Sequence, residues 1–299
     1  PGTRRGLAMS VDCTPRYCAA DPRVGGAQAV AESWRNLTAV GARPLAITDN
    51  MNFGSPERPE IMGQFVDCIE GIREACLSLD YPVVSGNVSF YNETNGQAVL
   101  PTPAIGGVGL VEDVGRMAAI AFRRPGDSLL LVGDSADPAG GHLGCSLYLR
   151  EILGREEGPP PRVDLAAERR NGDFVRGLIE AGRVNACHDV SDGGLLVAVA
   201  EMAMAGGLGA TVELPAACAE APHAWLFGED QGRYILAVQA GLRGEILDAA
   251  AAVGVPVRCI GTVGGAALTV VAGSTICGAA AVAELKRMHE AWFPAFMDA

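Results

Sequence analysis

Apolar and polar positions follow two rhythms along this chain. From Gly26 to Val40, the residues Ala29, Val30, Trp34, Leu37 and Val40 recur near helical spacing and predict a helix. Pro44 to Thr48 reads as a short buried strand. Glu57 to Leu79 reads as a long helix after a Ser55-Pro56 turn, with Ile61, Phe65, Ile69, Ile72 and Cys76 on one face. Strands are predicted at Pro82–Val84, Ala104–Val111 and Met117–Phe122. The charged turn Arg123-Arg124-Pro125-Gly126-Asp127 reads as a domain junction. Beyond it the pattern predicts strands at Ser128–Gly133, Val184–Val190, Gly209–Leu214, Gly232–Val238, Val257–Val263 and Ala267–Val271. Helices are predicted at Leu143–Leu153, Ala166–Ala181, Gly194–Ala205 and Leu242–Val253, with a Pro/Gly/Glu-rich surface loop at Gly154–Arg162. Strands and helices alternate throughout, so the class is α/β or α+β.

Polar residues collect where apolar runs end. Thr48-Asp49-Asn50-Met51-Asn52-Phe53-Gly54 follows one run, and Ser85 to Glu93 follows Tyr81-Pro82-Val83-Val84. Both read as loops delivered to a sheet edge. Asp, Asn, Ser and Gly there suit Mg²⁺ and phosphate, because hard cations take amide and carboxylate oxygens and glycine lets backbone N–H groups approach an anion. A third such segment is His188-Asp189-Val190-Ser191-Asp192-Gly193-Gly194. Together they point to a nucleotide-handling enzyme.

Bulk properties narrow the choice. The chain has 299 residues, 49% hydrophobic and 19% charged, which allows a sizeable core and either two ordinary domains or one large one. A net charge of −12 and the lack of a Lys/Arg cluster argue against nucleic-acid binding. No stretch reaches the roughly 18 apolar residues of a membrane span, and no signal-peptide pattern is present. Nine single cysteines, with no Cys-x-x-Cys pair, argue against zinc or a disulfide framework and fit a reducing cytoplasm. The opening Pro-Gly-Thr-Arg-Arg-Gly reads as an internal cut point.

Each motif has a plain reading beside its chemical one. Asp12 contacts metal or phosphate, or sits in a polar turn before Pro15. Asp49 and Asn50 are ligands, or form an Asx turn closed by Gly54. Asn87 and Ser89, two apart, share one face. They offer an amide oxygen to a metal and a hydroxyl to a ligand, or they are an exposed polar strand face. Ser191 or Asp192 caps the following helix, or the glycines there bind an anion. Gly228 to Arg233 is a turn or a phosphate contact. The phosphate loop Gly-x-x-x-x-Gly-Lys-Ser/Thr, the Gly-x-Ser-x-Gly elbow and His-Glu-x-x-His are all absent.

Six segments carry a resemblance: SVDCTPRY (10–17), DPRVGGAQAVAESWRNLTAVGARPLAITDNMNFGSPE (21–57), PVVSGNVSFYNET (82–94), PTPAIGGVGLVEDV (101–114), HDVSDGGLLVAVAEMA (188–203) and LFGEDQGRY (226–234). In this order they resemble the C-terminal half of the phosphoribosylformylglycinamidine synthase family, in the superfamily of aminoimidazole ribonucleotide synthetase. The last 60 residues match only in kind. The resemblance implies an N-terminal barrel-forming α/β domain, residues 1–122, and a C-terminal α+β domain, residues 123–299. It implies ATP contacts at Asp49 and Gly86, a Mg²⁺ ligand at Asn87 and a formylglycinamide ribonucleotide contact at Ser89. The family's catalytic histidines, in a Ser-His-Asn-His type of motif, belong to the other half and are missing here, so no catalytic residue is assigned. Asp230 stands where the other half has a serine, and a carboxylate there repels phosphate. Implied partners are the N-terminal half of the same synthase and a glutaminase subunit or domain, with a homodimer when this half is isolated. The alternatives are a scaffold half holding an auxiliary nucleotide, and a complete homodimeric synthetase.

Overall fold

The computed structural model describes residues 2–133 and 141–298. Its first layer contains β1 (Gly6–Asp12), α1 (Pro15–Ala20), α2 (Pro22–Ala39), β2 (Arg43–Asn52), α3 (Pro59–Leu79), β3 (Val83–Ser89), the small hairpin β4 (Glu93–Thr94) and β5 (Gln97–Ala98), and β6 (Thr102–Val111). Local chemistry sets the helix starts. Pro22 and Pro59 open α2 and α3 where the missing N–H costs nothing, and the Asp21 carboxylate accepts the Val24 N–H at 3.1 Å. Helix α3 ends at Asp80 in the left-handed region. The sheet order is β1-β6-β2-β3, with β2 and β3 parallel across α3 and the other pairs antiparallel. Ile47, Met51 and Ile105 point to the helices and pack with Val30, Trp34, Leu37, Ile61 and Ile72. The opposite face is bare: Leu7, Met9 and Val11 are 70%, 78% and 79% exposed.

The second layer contains β7 (Ser128–Val132), α4 (Leu165–Glu180), β8 (Ala186–Asp189), α5 (Gly194–Gly206), β9 (Ala210–Glu213), α6 (Pro222–Phe227), β10 (Tyr234–Val238), α7 (Arg243–Ala252), β11 (Val257–Val263), β12 (Ala267–Ala272), β13 (Thr275–Ala281) and α8 (Val282–Met297). Its seven-stranded sheet has the order β13-β12-β9-β11-β7-β10-β8. Strands β7 and β10 are buried along their whole length, and both read as unbroken apolar runs for that reason. Leu129, Leu131 and Ile235 pack on α5, while Leu130, Val132 and Leu236 pack beside α4 and α7. Helices α2 and α4 join the layers. Gly172 makes this possible, because a Cβ there would overlap the Trp34 ring. Arg35 and Glu168 form a fully buried ion pair across the same seam at 2.8 Å.

Three sequence expectations change. Residues 117–122 form no strand: a 3-10 turn at Val114–Arg116 precedes an irregular run, in which Ala118 and Phe122 plug gaps between the layers. The helix expected at Leu143–Leu153 shrinks to one wide turn, Tyr148–Ile152. Tyr148 stacks on His223 and Phe227 of the α6 segment, so the apolar positions there serve a long-range contact and not a full helix face. The polar segments after Ile47 and Val84 are not loops, because β2 runs on to Asn52 and β3 to Ser89. Ladder hydrogen bonds carry these strands through residues that are poor strand formers alone.

Candidate functional site

The parallel ladder fixes the geometry of the candidate residues. Asp49 pairs with Gly86, Asn50 with Asn87 and Asn52 with Ser89. All four sequence-derived candidates thus lie within four residues of each other along β3 and its neighbour, toward the strands' carboxyl ends, where open α/β sheets receive ligands. Because successive side chains alternate faces, they divide into two pairs. Asp49 and Gly86 share the helix-facing side with Ile47 and Met51. Asn87 and Ser89 share the bare side with Thr48 and Asn50. Sequence spacing shows the second pairing but not the division.

Asp49 and Gly86 are in direct contact: any Cβ at position 86 would overlap the Asp49 carboxylate. Burial raises the Asp49 carboxyl above its ordinary pKa, and the bond it accepts from the Asn87 backbone N–H works the other way. On the bare face, Asn87 Nδ2 lies 3.4 Å from Asn50 Oδ1. Ser89 Oγ donates to Asn92 Oδ1 at 3.2 Å, and Asn92 donates back to the Ser89 and Phe53 carbonyls. Asn50 and Asn92 therefore position the pair. Asn92 lies just past β3, and its polar run was the signal for it. Strand β3 ends the sheet, so its far backbone edge has no strand partner among the described residues.

The third segment behaves differently. Neither Ser191 nor Asp192 caps α5; its N-cap is Gly193 in the left-handed region. The anion position there is filled by the protein itself. Glu229, fully buried, accepts the Gly193 N–H at 2.8 Å, the Leu147 N–H at 2.9 Å, Arg16 Nη2 at 2.8 Å and the Tyr17 hydroxyl. Asp192 instead pairs with Arg16 at 2.6 Å. Asp230 accepts the His142 N–H at 2.8 Å, which ties it to the backbone rather than leaving it open to a phosphate.

Between the layers lies an acidic group that sequence reading found only in part. Asn36 donates to Asp12 at 2.7 Å, and the second Asp12 oxygen, like the second Asp189 oxygen, is buried without a hydrogen-bond partner. Burial pushes the Glu32 carboxyl up to about 8. Burial alone would lower the His188 pKa, but bonds to Asp189 at 3.0 Å and Glu201 at 2.9 Å outweigh it and hold the imidazolium up at about 9. Glu32 and Arg35 follow the apolar periodicity of α2 and gave no signal of their own. Among the described residues, no group of three His, Cys, Asp or Glu side chains is arranged to hold a metal.

Comparison with known proteins places this geometry. Residues 1–111 match the family described as AIR synthase related protein, N-terminal domain, and residues 124–273 match the corresponding C-terminal domain. The chain belongs to the AIR synthase related family. Within that family, it is 62% identical over 293 residues to the phosphoribosylformylglycinamidine synthase subunit PurL of Rhodospirillum rubrum, covering 98% of this chain and 39% of the relative. The PurL subunit of Methylocella silvestris is 59% identical over 295 residues, again 39% of its length. The chain thus spans about two fifths of the curated relatives it matches. Among solved structures, Thermotoga maritima PurL complexed with FGAR superposes with a TM-score of 0.77 at 22% identity, over 94% of this chain and 46% of that one. The thiamine-monophosphate kinase of Stenotrophomonas maltophilia gives 0.63 at 19% identity, over 88% and 84%. The AIR synthase related fold, α/β with mixed sheets in two layers, is therefore the architecture of this chain. No helix among the described residues is long and apolar enough to cross a membrane.

Proposed function

We propose that this chain is the second half of a phosphoribosylformylglycinamidine synthase, an ATP-dependent ligase that turns the amide of formylglycinamide ribonucleotide into an amidine. The observation that carries the reading is the juxtaposition of Asp49, Gly86, Asn87 and Ser89 at one end of the β2/β3 ladder, in a chain whose 62% identical relative is a subunit of that synthase. The reading takes residues 1–122 and 123–299 as its two domains and the cytoplasm as its compartment.

In the proposed reaction, ATP activates the amide oxygen and ammonia from glutamine displaces the phosphate. This chain supplies positioning. Asp49 and Gly86 contact the nucleotide, and Ser89 holds the ribonucleotide on the bare face. Asn87 is the residue that would ligate Mg²⁺. The donor set fits, because this ion takes one or two protein oxygens and fills its shell with phosphates and water. When bound, the ion neutralises phosphate charge. The acid–base groups come from the other half, which covers the bare face of the four-stranded sheet. Leu7, Met9, Val11 and Val108 on that face support a partner of the same fold, and a glutaminase subunit or domain supplies ammonia.

A second reading, an auxiliary nucleotide-holding half, is favoured by the unpartnered Asp12 and Asp189 oxygens. One experiment separates the two. The chain alone is expected to show no ribonucleotide-dependent ADP release with glutamine or ammonium, and mixing it with the separately produced N-terminal half should restore release. Asp49→Ala should then abolish the restored activity. Full activity in Asp49→Ala, with activity lost in Asp189→Asn, would shift the assignment to the auxiliary site.

A further inference from the structure

The far end of the second layer presents an apolar surface that nothing among the described residues covers. Helix α8 is anchored only at its start, where Val282 is buried and Leu285 packs on the core of the layer. Beyond Leu285 every described residue of the helix is exposed. Met288, Trp292 and Phe296 follow at steps of one turn on the Leu285 side. They are 60%, 65% and 63% exposed, and the Trp292 and Phe296 rings stack with centroids 5.3 Å apart. A helix with such a stripe draws its stability from packing, and an aromatic patch facing water marks an interaction surface.

The strand that leads into α8 is an open edge. Strand β13 ends the seven-stranded sheet and pairs with β12 alone, and no other segment among the described residues hydrogen-bonds to its backbone. Edges are commonly guarded by charge, proline or a covering element. Strand β13 is almost wholly exposed and carries neither charge nor proline. Its side chains are also short. Gly278 and Ala280 stand opposite Val270 and Leu268, which face α5. Their small size leaves a cavity of about 420 Å³ between the sheet, α5 and α8, walled by Leu196, Ala200, Met204 and Leu285.

Charge and hydrogen bonding select the occupant. The chain carries a net charge of −12, yet this surface is neutral. On α8, Arg287 pairs with Glu284 at 2.6 Å and Lys286 with Glu290 at 3.8 Å, so the helix spends its charges on itself. A neutral patch on an acidic chain draws neither nucleic acid nor an anionic surface and suits an uncharged partner. A helix or an acyl chain laid on α8 would leave the β13 amides and carbonyls unpaired, at a cost for each one buried. An extended strand meets both demands, because its backbone pairs with β13 while alternate side chains turn toward the cavity and α8.

We propose that β13 and α8 together dock an extended, uncharged, apolar segment of another polypeptide, which adds to the sheet as a further strand and fills the cavity beside α8 with an apolar side chain. The probe is a short neutral peptide of alternating valine and threonine, kept soluble by an ethylene-glycol tail. Two further copies are N-methylated, one at every valine amide and one at every threonine amide. Trp34 and Trp225 are both 3% exposed, so a change in tryptophan emission reports Trp292. The peptide should slow hydrogen exchange at alternate β13 amides about tenfold or more and move the emission to shorter wavelength. One methylated copy should lose both effects and the other keep them, because only one set of peptide amides faces β13. Trp292→Ser with Phe296→Ser, at exposed positions, should leave the thermal midpoint unchanged and weaken the peptide about tenfold or more. An emission shift without β13 protection, equal binding by both methylated copies, or no response to any peptide would overturn the proposal. So would β13 amides protected before peptide is added, and protection that rises with protein concentration would make the occupant a second copy. Neutral phosphatidylcholine vesicles that shift the emission while β13 stays unprotected by the peptide would make it a lipid.

Discussion

Gly86 is the residue where sequence and geometry constrain each other most closely. Its missing side chain is the space that the Asp49 carboxylate occupies. Gly86→Ala should therefore push Asp49 out of place, raise the KM for ATP about tenfold or more in the reconstituted enzyme, and cost roughly 1–3 kcal/mol of stability by overpacking. Denaturant unfolding and steady-state kinetics on one preparation read both effects. Two residues along, Asn87→Leu keeps bulk but removes an oxygen. The expected loss is on the order of 10²-fold in kcat, with Asn87→Asp milder because a carboxylate still ligates Mg²⁺. Ser89→Ala should instead raise the KM for the ribonucleotide more than that for ATP. A wild-type kcat and Mg²⁺ dependence in Asn87→Leu would remove the metal assignment. The polar residues Asp49, Asn87 and Ser89 stood out in the sequence as candidates because they follow apolar runs, and Gly86 joined them through the resemblance. Their division between two faces did not stand out. It depends on where the strand ends, and ladder pairing with β6 and β2 extended both strands past the points where their own propensities fade.

At the scale of elements, the joint between α2, α4 and β8 sets how the fold responds to pH. His188 titrates near 9 in the fold against an ordinary 6.5, so its stabilisation is complete below about pH 6.5 and lost as pH rises through 9. Glu32 keeps its proton to about 8 in the fold against an ordinary 4.5, so the native state also binds the extra proton there. The signs agree. Thermal midpoints should fall steadily from about pH 5 to pH 9.5, and His188→Gln should flatten the upper part of that decline, a contribution on the order of 3 kcal/mol. A midpoint that stays level or rises across this range would contradict both assignments. The helices and the strand meeting here were legible from periodicity, within a few residues for α2, α4 and β8. Their junction was not, because Arg35 and Glu168 sit on buried faces that apolar spacing marks only as core. The run at 117–122 misled for the same reason: apolar residues that fill gaps between layers imitate a strand.

For the whole molecule, the four-stranded sheet is finished on one side only. Leu7, Met9 and Val11 alternate with residues that face α2, which leaves an apolar stripe continuous with Val108. Without the partner half proposed above, a second copy is the available cover, and the chain should be dimeric by light scattering at micromolar concentration. Met9→Lys with Val11→Asp should leave it monomeric with unchanged helix content. A monomeric wild type would show that the stripe alone does not drive pairing. At this scale β1, β13 and α8 had not been read as elements, but the fold class was legible. The strand order of the seven-stranded sheet was not, since pairings such as β13 with β12 at the opposite end from β8 depend on contacts that no local pattern records. The buried carboxylate of Glu229 carries one more consequence, for the order in which the chain can fold. Its partners Arg16 and Tyr17 lie 213 and 212 residues earlier, whereas its other donors, at Leu147 and Gly193, come from the second layer. The first layer can collapse as soon as its own strands exist, but this closure must wait until most of the polypeptide is available, and long-range closures of that kind are slow. Union of the two layers is thus expected to come late in folding.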